Sequence, residues 1–382
     1  MEKVKLGDVC KVQGGYAFKS KEFQKDSIPI IRIGNIQDNE VEIDYNVCFT
    51  KEFLNKHPEF EIKYGDILIA MSGATVGKIG KYQNDTKALL NQRVGNFIVT
   101  EKLEKRYLYF LLQSPLFEKF ILNNAFGCAQ PNISSKQIEG FEFYNYDNVE
   151  QIEIANQLDK VQEIIDFRKK QIQELDELIK SQFVEMFGDV KNQKKIKDIY
   201  IFFSRGKSPN YVEKSNIGVI NQACIYWNEF RFSNIKYQDE LKISNSKEKM
   251  INNRDILITS TGTGTLGRCN VYNGENGKYL ADGHVSILRV DEEIINPIFF
   301  KYYFMQERIQ KKLYSECVNG STSQIELSKD KFLNFNVIIP NLKEQKQFEN
   351  IVQQIDKQKF EIQKSLEETQ KLQESLMNKY FG

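Results

Sequence analysis

The chain has 382 residues, of which 41% are hydrophobic and 27% are charged, and its formal net charge is +1. This length predicts two or three domains at about 100–200 residues each, and the composition excludes a disordered, collagen-like or disulfide-dense protein. Apolar runs stay far below the roughly 20 residues of a membrane span, and Met1–Lys5 lacks a signal-peptide core, so we expect a cytoplasmic protein with reduced cysteines.

Short strands and irregular loops are predicted for residues 1–149. This stretch is rich in Gly, Asn, aromatic and β-branched residues, which occur in short runs such as Ile28–Ile33. Runs of this kind between turn residues are typical of strands. We therefore predict an α+β domain here.

A long helix is predicted next, at residues 150–189. The stretch contains no Gly or Pro before Gly188 and is dense in Glu, Gln, Lys, Leu and Ile, most of which favour helix. Spacings of three and four alternate along one face, which is the pattern of a coiled-coil seam. The predicted seam consists of Leu158, Val161, Ile165, Arg168, Ile172, Leu175 and Ile179.

The second half of the chain repeats this plan. Tyr64–Gly73 aligns with Asn253–Gly262 at an offset of 189, and Phe187–Gly188 aligns with Phe381–Gly382 at an offset of 194. Residues 190–340 are therefore predicted to form a second α+β domain and residues 341–382 a second long helix. The predicted apolar face of this helix consists of Phe348, Ile351, Ile355, Ile362, Leu366, Leu372 and Leu376.

The order of the segments predicts how the helices pair. The first helix carries the chain from the first domain to the second, and the second helix leaves the second domain. A pseudo-two-fold repeat then requires an antiparallel coiled coil, and about 38 helical residues span roughly 57 Å. A domain at each end suits duplex DNA with two half-sites. Two unrelated surface helices are the alternative.

Charge supports this hypothesis only in part. Basic residues exceed acidic ones by six in residues 190–340, the two balance in residues 1–149, and acidic residues exceed basic ones by five in residues 150–189. A near-neutral chain argues against non-specific coating of nucleic acid. It permits local basic faces, such as Lys19–Lys21 and Arg205–Ser208.

Two motifs resemble a cofactor-binding loop and a methyltransferase target-binding loop, but both are incomplete. Gly262–Gly267 matches a dinucleotide-binding G-x-G-x-x-G, yet the following residues predict a strand instead of a phosphate-holding helix, so a glycine-rich hairpin turn is favoured. Asn296–Phe299 resembles the N-P-P-F loop of amino-methyltransferases without its second proline. A helix over Ile298–Lys312, with Asn296 as its N-cap, explains this segment better.

Catalytic and metal-binding groups are not found in a complete set. Glu240–Lys242 has the spacing of a nuclease E-x-K, a triplet that arises by chance in a chain rich in both residues. His284 is a candidate general base without a partnering Ser, Cys or metal set. His57 and His284 are the only histidines, and the six cysteines include no C-x-x-C pair. No zinc site is therefore expected.

Several motifs together resemble the specificity (S) subunits of type I restriction-modification systems. They are Asp66–Gly73, Gly127–Ser134, the helix start at Pro340–Gln345 and the terminal Phe381–Gly382. The resemblance covers essentially the whole chain. The sequence departs from the family pattern at Tyr146–Val149, which replaces a proline-rich run, and at Ser321–Gln324, which lacks a following Pro-Asn.

This resemblance implies an α+β fold with two similar target-recognition domains, residues 1–149 and 190–340, joined by two helices, residues 150–189 and 341–382, in a pseudo-two-fold antiparallel coiled coil. Each domain would read one half of a bipartite double-stranded DNA target. The helices would set the spacing and bind two methyltransferase (modification) subunits. S-adenosylmethionine would be bound by those subunits and ATP by the restriction subunits, so this chain would be a non-catalytic subunit without a cofactor or metal.

The residues alone leave two other classes open. One is a fused DNA methyltransferase or nuclease with an unrecognised active site, which would bind S-adenosylmethionine or ATP, or cut DNA, by itself. The other is a structural dimeric scaffold, which would retain no specific DNA sequence even with its partner present.

Polar loop residues are the candidate DNA contacts, because Asn, Gln and Arg reach base edges whereas Lys, Ser and Thr mostly hold phosphates. In the first domain these are Tyr16, Lys19, Lys21, Arg32, Asn35, Ser72, Thr75, Lys78, Asn91, Gln92, Arg93 and Gln130. In the second domain they are Arg205, Lys207, Asn221, Gln222, Thr261, Thr263, Arg268, His284, Ser323 and Gln324. Each has an alternative role in a turn or cap. The candidate partner contacts, expected to be exposed beside the seam, are Ile152, Ile164 and Phe183.

Overall fold

The computed structural model describes residues 2–37, 39–125, 131–240, 250–320 and 325–382, and the structural statements that follow refer to these ranges. The chain forms two compact units. Unit 1 comprises Met1–Lys169 and Gln363–Gly382, and unit 2 comprises Lys170–Ile362. Strands and short helices in each unit pack with parts of two long helices. The predicted α+β class and the two long helices are confirmed.

Two main sheets build the body of unit 1. Its strands are β1 Glu2–Lys5, β2 Cys10–Gly14, β3 Ile28–Ile31, β4 Ile36–Gln37, β5 Asn39–Val41, β6 Cys48–Phe49, β7 Glu61–Ile62, β8 Ile67–Ala70, β9 Ile79–Lys81, β10 Ala88–Leu90, β11 Val94–Val99 and β12 Glu142–Asn145. One sheet has the order β2-β11-β8-β9-β5-β4 and the other β6-β3-β10-β7, while β1 pairs with β12. Strand β8 is buried along its whole length, because Ile67 and Ile69 on one face and Leu68 and Ala70 on the other pack in two different hydrophobic clusters.

The helices of unit 1 cover these sheets. They are α1 Leu6–Val9, α2 Lys51–Lys56, α3 Lys105–Leu111, α4 Pro115–Ala125, α5 Ser135–Glu139 and the first part of α6 Asn148–Phe187. The end of the C-terminal helix, Leu342–Phe381, also belongs to this unit. Local caps define where they begin: the Glu104 carboxylate accepts from the Arg106 amide before α3, and Ser134 forms a capping box with Gln137 before α5.

Unit 2 repeats this architecture. Its strands are β13 Gln193–Lys195, β14 Tyr200–Arg205, β15 Tyr211–Val212, β16 Gly218–Ile220, β17 Lys236–Gln238, β18 Ile256–Thr259, β19 Cys269–Val271, β20 Tyr279–Ala281, β21 Val285–Val290, β22 Val318–Asn319, β23 Glu326–Leu327 and β24 Asn336–Ile338. Its helices are α7 Pro297–Met305, α8 Glu307–Cys317, α9 Lys329–Leu333 and the first part of α10 Leu342–Phe381, besides the end of α6. The main sheets have the orders β14-β21-β18-β19 and β15-β17-β16-β20.

A buried glutamine fastens the start of each long helix to the body of its unit. The Gln151 amide donates to the Tyr146 carbonyl at 2.8 Å, and its oxygen accepts from the Glu104 amide at 2.8 Å. In unit 2, Gln345 donates to the Pro340 carbonyl at 2.9 Å and accepts from the Asn296 amide. The proline-rich run missing before α6 therefore does not change how that helix is fastened.

The long helices are antiparallel where they pair within unit 1. Gln373 of α10 donates to Gln162 of α6 at 2.7 Å, and Tyr380, further along α10, donates to the earlier residue Gln157 at 2.8 Å. The predicted seam residues Leu158, Val161 and Ile165 are buried. Leu372, predicted on the apolar face, is instead 51% exposed, because Gln373 takes the inward position.

The pairing in unit 2 has the same direction. Lys359 donates to Asp176, while the Phe348 ring, earlier in α10, lies 5.4 Å and 5.6 Å from the rings of Phe183 and Phe187, later in α6. The antiparallel pairing predicted from chain order is confirmed in each unit.

Structure around two sequence motifs partly matches the expectation. Gly262–Gly267 connects the antiparallel pair β18 and β19, so the predicted hairpin turn is confirmed. Asn296 caps α7 by accepting from two backbone amides. The single helix expected over Ile298–Lys312 is wrong, because Gln306 adopts an extended backbone (ψ 128°) that separates α7 from α8.

Candidate nucleic-acid interface

Several loops of unit 1 meet where the central strand β8 ends. The Met71 amide donates to the Arg93 carbonyl at 2.9 Å, and the Gln92 amide donates to the Tyr16 carbonyl at 2.9 Å. The Ile133 amide donates to the Met71 carbonyl at 2.9 Å. The structure thus brings together the loops that carry most of the predicted contacts of this domain.

The loops of unit 2 meet at the end of β18 through the same kind of bonds. The Ser260 amide donates to the His284 carbonyl at 2.8 Å, and the Leu327 amide donates to the Ser260 carbonyl at 2.8 Å. The Gly206 amide donates to the Val285 carbonyl at 2.9 Å. The loops around residues 206, 260, 284 and 327 therefore form one surface. We call this surface the loop end of unit 2, and the equivalent surface at the end of β8 the loop end of unit 1.

The two loop ends share a backbone plan at an offset of 191. A parallel bridge joins Tyr16 to Asn91 in unit 1, and an equivalent bridge joins Lys207 to Asp282 in unit 2. Different side chains therefore stand on equivalent backbone positions.

A glycine precedes each bridge and permits the close approach of the two strands. A Cβ atom on Gly15 would lie 2.2 Å from the Leu90 carbonyl oxygen, and one on Gly206 would lie 2.1 Å from that of Asp282. No side chain fits at such distances, so glycine is required at both positions.

Exposed cations remain available at the loop ends. Arg32 and Arg205 are committed to ion pairs, with Asp44 at 3.4 Å and Glu326 at 2.9 Å. By contrast, no ion pair within the described ranges involves Lys19, Lys21, Lys78, Arg93 or Lys207, all of which are exposed. Unpaired cations on one surface are what phosphate and base contacts require.

Two predicted base contacts have a structural role instead. Asn35 is buried and its side-chain oxygen accepts from the Arg32 amide at 2.9 Å. Asn221 is buried as well and accepts from the Ala223 amide at 2.8 Å. Both expectations are corrected: these buried side chains cap short turns, and their oxygens are already hydrogen-bonded.

Two other predicted residues have polar atoms without a partner. Ser72 is buried, and its hydroxyl has no hydrogen-bond partner among the described residues; the same holds for the Gln222 side-chain oxygen. Both residues lie in the loop ends, Gln222 beside Gly262. Buried polar atoms are normally paired, so each of these two atoms has an unused hydrogen-bonding capacity.

Three further predicted residues lie in the same loops. Thr75 donates to the Ile33 carbonyl at 3.3 Å, Asn91 accepts from the Arg93 amide at 3.4 Å, and the Thr263 side chain is exposed. The predicted contacts Gln130, Ser323 and Gln324 lie outside the described residues.

An arginine–tyrosine cluster in unit 2 escaped prediction. The guanidinium groups of Arg231 and Arg268 lie 3.8 Å and 5.1 Å from the centre of the Tyr226 ring. Only Arg268 was a candidate from the sequence. The aromatic residues of Tyr226–Arg231, a segment that ends in an arginine, were the available signal, since guanidinium groups stack on aromatic rings.

Tyr16 is part of an aromatic cluster in unit 1. Its ring centre lies 5.1 Å from Phe18, 4.9 Å from Phe53 and 6.1 Å from His57. Tyr16 is nevertheless 40% exposed. The cluster thus holds an aromatic face at the edge of the loop end, and it gives His57 a packing role.

The candidate partner contacts divide into exposed and buried residues. Ile152 and Ile164 are exposed on α6. Phe183 is only 2% exposed and packs 5.1 Å from Phe187 and 5.4 Å from Phe299, so its assignment to a partner surface is corrected to the core of unit 2. The exposed apolar residues that sequence reasoning missed on the long helices are Val149, Phe167, Leu178, Val184 and Phe360.

The described residues offer no set of groups suited to metal or thiolate chemistry. No group of three or more His, Cys, Asp or Glu side chains within those ranges could hold a metal ion. Burial raises the pKa of the Cys10 and Cys269 thiols to about 12, which disfavours the reactive thiolate. Among the same residues, no helix is both long and apolar enough to span a membrane.

Comparison with known proteins matches the chain to one family along nearly its whole length. The family model for the type I restriction modification DNA specificity domain matches twice, at residues 1–177 and 189–373. The MjaVIII specificity subunit of Methanocaldococcus jannaschii is 30% identical over 46% of this chain and 42% of that subunit. The MjaIX specificity subunit of the same organism is 23% identical over 98% and 91% of the two chains. The chain thus spans less than half the length of the first relative but nearly all of the second.

Solved structures show the same fold. The type I restriction-modification S subunit from M. genitalium aligns with a TM-score of 0.60 at 16% identity, covering 100% of this chain and 96% of that one. A chain from a study of complex assembly in the type I restriction-modification system aligns with a TM-score of 0.56 at 15% identity, covering 100% and 97%. Because the specificity-domain model matches both halves, the chain belongs to the type I restriction modification DNA specificity domain family.

Proposed function

We propose that this chain selects a bipartite DNA target, with one half-site read by each unit. The observation that carries the proposal is the duplicated loop end: the same backbone bonds and the same obligatory glycine present different polar side chains in the two units. Equivalent scaffolds with unlike side chains suit two half-sites of different sequence. The target-recognition domains are residues 1–149 and 190–340, and the helical segments are residues 150–189 and 341–382.

The exposed cations at the loop ends are the proposed DNA contacts. Lys19, Lys21, Lys78 and Lys207 neutralise phosphates, since they are exposed and lack ion pairs among the described residues. Residues with planar polar groups reach bases, as Asn, Gln and Arg match base edges. The proposed contacts that retain their assignment are Tyr16, Arg32, Ser72, Thr75, Asn91, Gln92, Arg93, Arg205, Gln222, Thr261, Thr263, Arg268 and His284, together with Gln130, Ser323 and Gln324 outside the described residues.

The long helices are the proposed spacer and docking surface for two modification subunits. Exposed Ile152, Ile164 and Phe167 on α6 support docking in unit 1. In unit 2, a groove of about 670 Å³ between the helices is lined by Leu175, Leu178 and Ile362, among others. Solvent-exposed apolar patches of this kind mark protein interfaces.

The catalytic parts of the complex are proposed to lie on other chains. S-adenosylmethionine is then bound by the modification subunits and ATP by the restriction subunits, and assembly takes place in the cytoplasm. Two of the motifs that pointed to a fused methyltransferase or a cofactor site form a hairpin turn and a helix cap instead. Lys242 of the nuclease-like triplet lies outside the described residues.

Methylation mapping tests the proposal. Genomic DNA from a strain with and without this gene is sequenced for modified bases, and the purified complex is weighed by native mass spectrometry. We expect a two-part motif that disappears with the gene, and a complex containing two modification subunits per copy of this chain. An unchanged methylation pattern, or a 1:1 complex as the only species, would contradict it.

A further inference from the structure

Arg93 and His284 occupy equivalent positions of the two loop ends. Each lies two residues after the bridge residue, Asn91 or Asp282. The carbonyl of each accepts a hydrogen bond from the amide of the first residue after the central strand. This donor is Met71 in unit 1, at 2.9 Å, and Ser260 in unit 2, at 2.8 Å. Both side chains are exposed. The fold therefore presents one side chain at the same place in each domain.

The two side chains differ in how they are held. The Arg93 guanidinium has no hydrogen-bond or ion-pair partner within the described ranges, so all of its donors are available. The Nδ1 atom of His284 lies 2.7 Å from the Thr261 hydroxyl, and the His284 amide donates to the Asp282 carboxylate at 2.8 Å. Nδ1 is engaged whether it donates to the Thr261 hydroxyl or accepts from it. Nε2 is therefore the only ring nitrogen left to bond a base.

The two side chains can therefore form different numbers of hydrogen bonds with a base edge in the major groove. A free guanidinium fork matches O6 and N7 of guanine with two parallel hydrogen bonds, and this is the most common specific protein–DNA contact. A ring with one free nitrogen makes a single hydrogen bond, and several base pairs satisfy that.

We propose that Arg93 and His284 are the matched specificity-determining residues of the two domains, with Arg93 reading a guanine in the first half-site through two hydrogen bonds and His284 reading a less restricted position in the second through one. This inference rests on the proposed function, since it requires that each unit reads a half-site. It adds the base in one half-site and a difference in stringency between the two.

The test uses the complex of this chain with its modification subunits and a DNA library randomised in both half-sites, read out by methylation. Arg93→Ala removes both donors, and Arg93→Lys keeps the charge but loses the fork. We expect both variants to lose preference for guanine at one position of the first half-site by about 5- to 150-fold. His284→Ala should relax one position of the second half-site by only about twofold to tenfold.

Two further variants separate the explanations. Thr261→Val keeps the side-chain shape but frees the imidazole ring, and it should relax the same position as His284→Ala. Arg308→Ala is the matched control, because Arg308 is exposed on α8 and lies outside the loop ends; it should leave both half-sites unchanged.

The outcomes distinguish this inference from the proposed function. A uniform loss of methylation by Arg93→Ala on all sequences, restored by Arg93→Lys, would assign Arg93 to a phosphate and overturn the inference while leaving the bipartite target intact. An unchanged motif in Arg93→Ala would overturn it too. Absence of any sequence preference in the wild-type complex would refute the proposed function and the inference with it.

Discussion

Units 1 and 2 are built on one backbone plan but neutralise their interior charges differently. Asp66 and Asp255 each accept a hydrogen bond from a backbone amide three residues earlier. In unit 1, Asp66 pairs with Lys105 through one contact of 2.9 Å. In unit 2, Asp255 is fully buried and Arg289 contacts both of its oxygens, at 2.7 Å and 2.9 Å. Shared backbone bonds thus preserve the turn while side chains vary around it.

The same contrast extends to the helices that pack under the sheets. At the equivalent of Tyr109 in α3, unit 2 has Lys301 in α7 (offset 192). Tyr109 donates to the Asn39 carbonyl at 3.3 Å, whereas Lys301 is buried beside the Tyr302 ring, 5.1 Å from its centre. The duplicated fold therefore tolerates unlike chemistry at equivalent interior positions, and the tests below ask how far that tolerance reaches.

Lengthening both long helices is expected to produce the largest change, because it acts on the feature that both units share. Seven residues inserted between Ile165 and Asp166, and seven between Lys359 and Phe360, keep the apolar seam in phase. Each helix gains about 10 Å, which is close to three base pairs. We expect the half-sites to stay the same and the preferred gap between them to lengthen by about two to four base pairs.

Methylation of a DNA library with varied gaps measures this effect. Insertion into only one helix is the control, because the two helices then no longer match in length and the seam is disrupted. An unchanged preferred gap in a folded and active double-insertion variant would show that the helices do not measure the distance.

Removing the cation that pairs with the aspartate at the equivalent position of each unit is expected to destabilise unit 2 more than unit 1. Arg289→Ala leaves the Asp255 carboxylate buried without its partner and should cost about 3–5 kcal/mol in the free energy of unfolding of unit 2. Lys105→Ala acts on a partly exposed pair and should cost unit 1 about 1 kcal/mol or less. Hydrogen exchange during denaturant titration assigns each loss to its unit. Equal losses would mean that the second contact to Asp255 adds nothing.

Lys301 makes the stability of unit 2 depend on pH. Burial lowers the pKa of Lys301 from 10.5 to about 8. Between these pH values the unfolded chain binds a proton that the folded chain lacks, so the contribution of Lys301 to stability rises with pH, by roughly 3 kcal/mol in total.

Comparison with Lys301→Met isolates this contribution, because the variant lacks the amine but keeps the surrounding groups Cys269, Asp356, Asp176 and Lys359. The stability of the variant relative to wild type should be greatest at pH 8 and should fall as the pH rises to 10.5. Denaturant unfolding at several pH values measures it. A difference that is constant over this range would place the Lys301 amine in a solvated environment.

Salt is expected to produce the smallest effect, at the contacts between the long helices. Lys359→Ala breaks the half-buried ion pair with Asp176 in unit 2 and should cost about 1 kcal/mol at low ionic strength and less in 1 M salt. Gln373→Ala removes a neutral amide bond to Gln162 in unit 1 and should cost about 0.5–1 kcal/mol at either salt concentration. Equal salt dependence in both variants would contradict the assignment.

The spacing of apolar residues along the sequence was enough to predict the elements whose structure depends on residues close in sequence. The seam of α6 follows from alternating spacings, and its residues Leu158, Ile165 and Ile179 are buried because an antiparallel helix covers one stripe. Predictions that needed a partner's surface were less accurate. Leu372 and Phe183 exchanged their expected environments: the first is exposed and the second buried.

The loop ends show the same limit. Most polar candidates were found because loops rich in Gly, Asn and Gln stand out in the sequence, but nothing local shows that Asn35 and Asn221 are buried caps. The break between α7 and α8 at Gln306 was also unpredictable, since the apolar pattern continues through it while the backbone turns extended.

The sequence by itself determined the duplication, the two long helices and their antiparallel order, because these depend on periodicity and on the path of the chain. Only the tertiary structure decided which loops converge, which cations stay unpaired and which residues are equivalent across the two units. Those properties arise from hydrogen bonds between segments far apart in sequence, such as Met71 with Arg93 and Ser260 with His284. Which side chains remain exposed beside these bonds is decided by tertiary packing, because it depends on segments that are distant in the sequence.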